Sequence, residues 1–305
     1  MKFRQSAIKS NLQLRANIIQ SVRKFFIEHD YLETETPCRI PAPAPEAYID
    51  PVASEEWLLQ TSPELCMKQL LAAGYDRIFQ ICKAFRKQER GERHLPEFTI
   101  LEWYCANICY YDMMEQCEEL INYVAINNGF GNTLIYQGET IDLSVPWNRI
   151  SVHEAFERYS PLPIETALLN DKFDEMIACK IEPNLGRGKP TFLYDYPASC
   201  GALARLKKDN PLIAERFELY ICGMELCNAF SELTDPVYQR MRFEKERLFR
   251  YISGKKNPPM PEKFLNALQD MPQAAGNALG IDRLVMLFAD TPLIDNIVAF
   301  TPDDL

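Results

Sequence analysis

No stretch of this 305-residue sequence approaches the ~20 consecutive apolar residues that a membrane-spanning helix requires. The opening residues, MKFRQSAIKSNLQLR, also lack the apolar core of a secretory signal, so a cytoplasmic protein is expected. Histidine is scarce, at three residues, and none of the ten cysteines belongs to a CxxC pair. Structural zinc needs closely spaced thiols and imidazoles, so the common zinc modules are excluded. Cys105 and Cys109 are spaced to share a helix face, but the apolar contexts of Cys66, Cys82, Cys222 and Cys227 read as reduced, buried or half-buried thiols. Positive charge is in deficit: 33 Lys and Arg against 43 Asp and Glu give a net charge of −10. Such a chain has no general electrostatic attraction for nucleic acid, although a local basic face is compatible with it. There is no internal repeat and no low-complexity linker. With 47% hydrophobic and 25% charged residues, the chain reads as one globular domain with a large core.

What is there begins with an amphipathic helix over 11–29, on which Leu14, Ile18, Val22 and Phe25 form one apolar stripe. The segment YLETETP extends to Pro37, and the proline-rich stretch 39–51 is a stiff, irregular loop. The pattern predicts helices at 63–73 and 112–127, with strands at 78–85 and 97–106 joined by a charged, hairpin-like loop. Helices are expected around 151–159 and 165–180, and strand-like runs at 191–196, 215–222 and 281–288.

Four segments hold polar groups that carry chemistry. In FRKQERGERHLPEFTILEWY (85–104), Arg86 at a strand end can neutralise a phosphate through bidentate contacts, and Phe98 offers a face to a purine. A solvated charged hairpin is the plainer alternative. In GNALGIDRLVML (276–287), Gly276 and Gly280 permit close backbone approach. Arg283 there stands at the start of an apolar helix, which suits a phosphate; an ordinary loop-to-helix junction is the alternative. In ERFELYICGMELCNAFSELTD (215–235), Glu218 and Glu225 reach one site only if the chain turns back at Gly223. Given that turn, they suit Mg²⁺, which takes oxygen ligands and accompanies phosphates. In TSPEL (61–65), Ser62 is placed as an N-cap with Pro63 at the first helical position. Glu64 then either belongs only to the cap region or holds a ligand ammonium.

In this order, the segments closely resemble the catalytic domain of class II lysyl-tRNA synthetases over nearly the whole chain. The helix ending in YLETETP (about 17–37) is similar to motif 1, residues 78–104 to motif 2, and residues 276–288 to motif 3. The resemblance implies an α+β class II aminoacyl-tRNA synthetase fold, an antiparallel sheet flanked by helices, and a homodimer built on motif 1. It implies that Arg86 contacts the α-phosphate and Arg283 the terminal phosphate of a bent ATP. Gln88, His94, Phe98, Glu225 and Gly280 complete the implied ATP site, with Phe98 stacking on adenine and Glu218 and Glu225 binding Mg²⁺. Ser62, Asn228 and Ala278 would line the amino-acid pocket and Glu64 would meet the amine near the reacting carboxylate. Glu102, Tyr104 and Glu232 would hold the distal ammonium of a lysine-like side chain. A dicationic substrate needs carboxylates at both ends, so this last set is also sound physically.

Motif 1 begins within about the first twenty residues, which leaves no room ahead of it for an anticodon-binding domain. This short form resembles the elongation factor P–(R)-β-lysine ligase family, whose members adenylate (R)-β-lysine and join it to a lysine of elongation factor P. Ala278 stands at a glycine of the motif 3 pattern, and its methyl reshapes the pocket toward a displaced amine. Gln88 replaces the usual glutamate of motif 2 and Leu95 an asparagine, which alters the implied ATP contacts. The implied partners are ATP, Mg²⁺, lysine or (R)-β-lysine, and elongation factor P, with no membrane and with tRNA not expected. The alternatives are a minimal lysyl-tRNA synthetase-like enzyme acting on tRNA or a free amino-acid acceptor, and a non-catalytic synthetase-like regulator. The Arg86–Glu225–Arg283 set argues against the regulator.

Overall fold

Extended backbone sends successive side chains to opposite faces, and that sorting organises this chain around one sheet. The computed structural model of the protein describes residues 3–201 and 203–305. The strands are β1 (Leu32–Glu33), β2 (Arg77–Phe85), β3 (Glu97–Ala106), β4 (Asn148–Ser151), β5 (Thr191–Pro197), β6 (Ile213–Ile221), β7 (Met224–Ser231) and β8 (Ala274–Gly280). They lie in the order β1-β2-β3-β8-β7-β6-β5-β4. Pairings from β2 through β5 are antiparallel. Both edge pairs, β1 with β2 and β4 with β5, are parallel. The α+β class stands, and the expected antiparallel sheet is a mixed one with an antiparallel centre.

Six longer helices are α1 (Lys9–Glu28), α2 (Glu64–Ala72), α3 (Tyr110–Asn127), α4 (Val152–Tyr159), α5 (Pro236–Ile252) and α6 (Ile281–Phe288). None is long and apolar enough to cross a membrane. On α1 the buried residues are Ile18, Val22, Phe25 and Phe26, with Leu14 half-buried beside them. They meet α3, α6 and one face of the sheet, to which β3 contributes Leu101, Trp103 and Cys105 and β6 contributes Phe217, Leu219 and Ile221. The intervening residues of those strands face the other way. That second face is the polar one.

Three expectations need correction. Residues 281–288 are helical, not extended: a short, continuous apolar run has no period that separates strand from helix. The strand is the preceding segment β8, whose alanines and glycines give it little β-propensity. The predicted helix 165–180 breaks into Ile164–Leu169, Phe173–Met176 and a wide π-turn at Ile177–Ile181, interrupted where Asp171 takes φ 52°. At the start of α2 the frame shifts by one residue, so that Pro63 is the N-cap. The Ser62 hydroxyl still accepts from the Glu64 amide at 3.0 Å. Helix α5 went unread, although Asp235 caps it through the Val237 and Tyr238 amides, both at 2.9 Å, with Pro236 at its first position.

Asp282 ties the helices of the core face to the sheet. Its carboxylate pairs with Arg15 of α1 at 2.6 Å and accepts from the Thr99 amide of β3 at 2.8 Å, which sets the start of α6. Asp282→Ala leaves the Arg15 guanidinium without its carboxylate and should lower unfolding stability by about 3 kcal/mol. Denaturant midpoints read this directly; a loss below ~1 kcal/mol would remove Asp282 from that role.

Candidate active site

Strand register aligns the polar side chains in rows. Glu102 of β3 lies opposite Ala278 of β8, which lies opposite Asn228 of β7, which lies opposite Glu218 of β6. The next row is Tyr104, Gly276, Phe230 and Arg216. Residues opposite one another in a row share a sheet face, so widely separated parts of the chain meet here without any loop rearrangement.

One end of this face is a buried charge cluster. Glu102, with no solvent exposure, accepts from the Ser62 hydroxyl at 2.6 Å and the Tyr104 hydroxyl at 2.8 Å. Glu232, 1% exposed, pairs with the ammonium of Lys68 at 2.5 Å. Lys68 also pairs with Glu64 and is itself only 2% exposed. Burial and then the charge of Glu64 push the Glu102 carboxyl up to about 7. Burial also raises Glu232, against the pull of Lys68. For Lys68 the two carboxylates outweigh burial and raise its pKa, so it stays an ammonium. Three carboxylates therefore share one cation, and the buried Oε1 of Glu232 has no hydrogen-bond partner. Gly276 is required below them: a Cβ there would sit 2.2 Å from the Tyr104 ring and 2.6 Å from Glu232 Oε1. Lys68 was missed in the sequence; its signal was the four-residue step from Glu64 along α2.

The other end holds the arginines. Arg283 donates to the Glu225 carbonyl at 2.9 Å and its carboxylate at 3.1 Å, and lies 2.5 Å from His94 Nε2. Burial and the Arg283 charge lower the His94 pKa, so the neutral ring can accept that bond. Arg86 lies 4.9 Å from the centroid of the Phe98 ring and 3.7 Å from Glu89, with its buried Nε unpartnered. His94 belongs to the motif 2 segment and Arg283 to the motif 3 segment, so their contact brings the two segments together. The β6–β7 hairpin turns at Cys222 and Gly223, with φ 52° and 67°, as the two carboxylates require. Glu218 is raised by burial and by the nearby Glu225 charge. It accepts from Arg216 at 2.5 Å and from the Tyr196 and Tyr220 hydroxyls, each at 2.6 Å. Arg216 also donates to Asn228 at 3.0 Å; neither it nor the tyrosines were read from the sequence.

Glu218 and Glu225 supply the hard oxygens that Mg²⁺ takes, and Glu182 lies near enough for both to raise its pKa. Glu225 Oε1 has no bond from a described residue, whereas both oxygens of Glu218 are engaged. Glu225 is the accessible carboxylate of the pair, and no group of three or more His, Cys, Asp or Glu side chains that could hold a metal ion comes together among the described residues. Other expected residues fare differently. Gln88 is exposed, at φ 66°, and its side chain bonds to no described residue. Leu95, at 4% exposure, packs in the main core, which explains an apolar residue there. A Cβ on Gly280 would meet nothing nearer than 3.8 Å, so packing within the chain does not require that glycine.

A mainly antiparallel sheet with two converging arginines at one end of its polar face and a buried carboxylate cluster at the other defines a class II synthetase-type catalytic fold. The chain matches the family model of tRNA synthetases class II (D, K and N) over residues 1–304 and belongs to that family. It is 35% identical to the elongation factor P–(R)-β-lysine ligase of Pectobacterium atrosepticum, over 97% of this chain and 96% of that protein. It is likewise 35% identical to the ligase of that name from Salmonella arizonae, over 98% and 97% respectively. The lysine–tRNA ligase of Moorella thermoacetica is 37% identical, over 96% of this chain but 65% of that protein.

The buried carboxyl of Glu102 gives a pH signature. Its folded pKa of about 7 lies above the usual 4.5, so its favourable contribution is full below pH 4.5 and is lost as pH rises through 7. Glu102→Gln removes the titration. Its melting temperature relative to wild type should climb between pH 5 and pH 8 in the ligand-free protein; a difference independent of pH would contradict the shift.

Proposed function

We propose that the protein activates (R)-β-lysine or lysine with ATP and transfers the aminoacyl group to a lysine side chain of elongation factor P. The observation that carries this reading is the charge imbalance of the Glu64–Lys68–Glu102–Glu232 cluster, which has a buried acceptor to spare on Glu232. An ammonium fits that gap; an uncharged side chain would leave the carboxylates unpaired. The names of the ligase relatives support the acceptor. The chain spans nearly all of the ligase relatives' length and 65% of the lysine–tRNA ligase. The net charge of −10 also favours a protein acceptor over tRNA.

In this reading the distal ammonium of the substrate sits between Glu232 Oε1 and the Glu102–Tyr104 pair. That places the substrate carboxylate toward Arg86. A carboxylate oxygen attacks the α-phosphorus of ATP, the bond to the β-phosphate oxygen breaks, and pyrophosphate leaves. Arg86 and Arg283 neutralise the charge that develops, so orientation and electrostatics suffice without a protein nucleophile. Glu225, with Glu218 behind it, would hold Mg²⁺, which would add charge neutralisation on the phosphates. The neutral amine of the acceptor lysine then attacks the acyl carbon, AMP departs, and an amide forms. The Ala278 methyl, between Glu102 and Asn228 in its row, narrows the pocket floor and favours an amine displaced from the α-carbon. The protein works as a single catalytic domain in the cytoplasm. The exposed Ile27 and Leu32 of the motif 1 segment support a homodimer through that edge.

Pyrophosphate exchange with α-lysine and (R)-β-lysine, with and without elongation factor P or tRNA, tests the reading. It predicts exchange and a mass gain on elongation factor P; charging of tRNA alone, or no exchange, would count against it. Arg86→Ala should slow exchange by roughly 10² or more, as loss of a charge-stabilising donor does. Near-normal exchange would remove Arg86 from its role.

A further inference from the structure

Gln80 of β2 carries none of the roles assigned above, although the sheet places it at the charge cluster. It lies directly opposite Glu102 in the β2–β3 register. The row of Glu102, Ala278, Asn228 and Glu218 therefore begins one strand earlier, at Gln80. Residues opposite one another on antiparallel strands share a face and hold their Cβ atoms within ~5 Å. Gln80 is 3% exposed. Its Nε2 donates to the Thr36 hydroxyl at 3.1 Å, on the segment that continues from β1. The nitrogen and oxygen of one amide diverge, so that bond turns Oε1 away from Thr36. Oε1 is buried and has no hydrogen-bond partner. A buried carbonyl oxygen without a donor is costly, and an apolar side chain of the same length would fill the space without that cost.

An ammonium has three N–H donors and no acceptor. In the empty cluster Glu232 Oε1 is one unpartnered acceptor. Glu102 is a second, since each of its oxygens accepts a single bond and keeps a lone pair. Glu232 Oε1 lies over Gly276, which is paired with Tyr104, two residues along β3 from Glu102. Both acceptors thus stand on the stretch of face that Gln80 borders. Its Oε1 is a third, and it is neutral. Three carboxylates already share Lys68, and a ligand ammonium brings the cations to two. A fourth carboxylate would widen the imbalance again, whereas an amide oxygen accepts the remaining N–H and adds no charge.

We propose that Gln80 is a specificity-determining residue whose amide oxygen accepts the third N–H of the substrate's distal ammonium, beside Glu102 and Glu232. The inference rests on the diamino-acid reading above and extends it by one contact. Thr36 holds the amide from behind, so the acceptor is oriented before the ligand arrives.

The test is equilibrium binding of α-lysine, 6-aminohexanoic acid, 2-aminohexanoic acid and ATP to wild type, Gln80→Met and Gln80→Glu. 6-Aminohexanoic acid keeps only the distal ammonium, and 2-aminohexanoic acid only the one beside the carboxylate. Replacing a buried, half-satisfied amide by an apolar side chain of similar length is close to neutral for folding, so Gln80→Met reads binding. It should weaken α-lysine and 6-aminohexanoic acid about 10-fold and leave 2-aminohexanoic acid and ATP unchanged. Gln80→Glu keeps an oxygen at that place and should recover most of the loss. An equal loss for 2-aminohexanoic acid, a loss for ATP, or no loss for 6-aminohexanoic acid overturns the assignment. A wild type that prefers α-lysine to 2-aminohexanoic acid but supports no pyrophosphate exchange counts against the ligase reading, while the comparison still decides Gln80. A wild type without that preference overturns both.

Discussion

A single buried ammonium, that of Lys68, is divided between Glu64 and Glu232, with Glu102 close enough for its charge to be felt by both neighbours. Removing a carboxylate from water is costly unless it is paired, and here the pairing is incomplete. The protein responds by holding carboxyl protons that water-exposed glutamates would have lost. Burial raises the Glu102 and Glu232 carboxyls, so protonation relieves part of that cost. A cation of the right reach would displace those protons and complete the pairing. The pH behaviour of the cluster follows from that unfinished balance.

The sheet makes the balance attainable. Rows across β3, β8, β7 and β6 bring side chains from distant segments to one face, and core packing behind Trp103 and Phe217 fixes their register. The composition of β8 is dictated from both sides. Its Ala275 and Leu279 join the main core, while Gly276 gives its space to Tyr104 and Glu232. At the arginine end the same logic uses a tight hairpin, since Glu225 follows the turn closely and Glu218 precedes it. Asp282 then ties the helix that bears Arg283 to the first helix and to β3.

Much of this was legible in the sequence. The apolar stripe of α1, the β2–β3 hairpin and the turn at Gly223 follow from periodicity and turn chemistry, and each element formed where expected. Arg86, Arg283, Glu225 and His94 were named from the family resemblance, and in the structure Arg283 contacts both Glu225 and His94. What was hidden depends on partners distant in sequence. Lys68 looks like a surface residue of an amphipathic helix until Glu232 is folded over it. Arg216 and Tyr220 of β6 and Tyr196 of β5 grip Glu218 only once the two strands are paired. Strand β8 is too poor in branched side chains to announce itself, and Gln88, named for ATP, is exposed with no side-chain bond to a described residue.

The central claim is that a ligand ammonium completes the charge balance of the buried cluster and expels its protons. Calorimetric titration of the diamino acid in buffers of different ionisation enthalpy at pH 7 measures this directly. The account predicts net proton release into the buffer on binding, because Glu102 and Glu232 carry raised pKa values in the empty site. Binding with no proton exchange, or with proton uptake, would mean that the carboxylates are already ionised and that the site is not built on this imbalance.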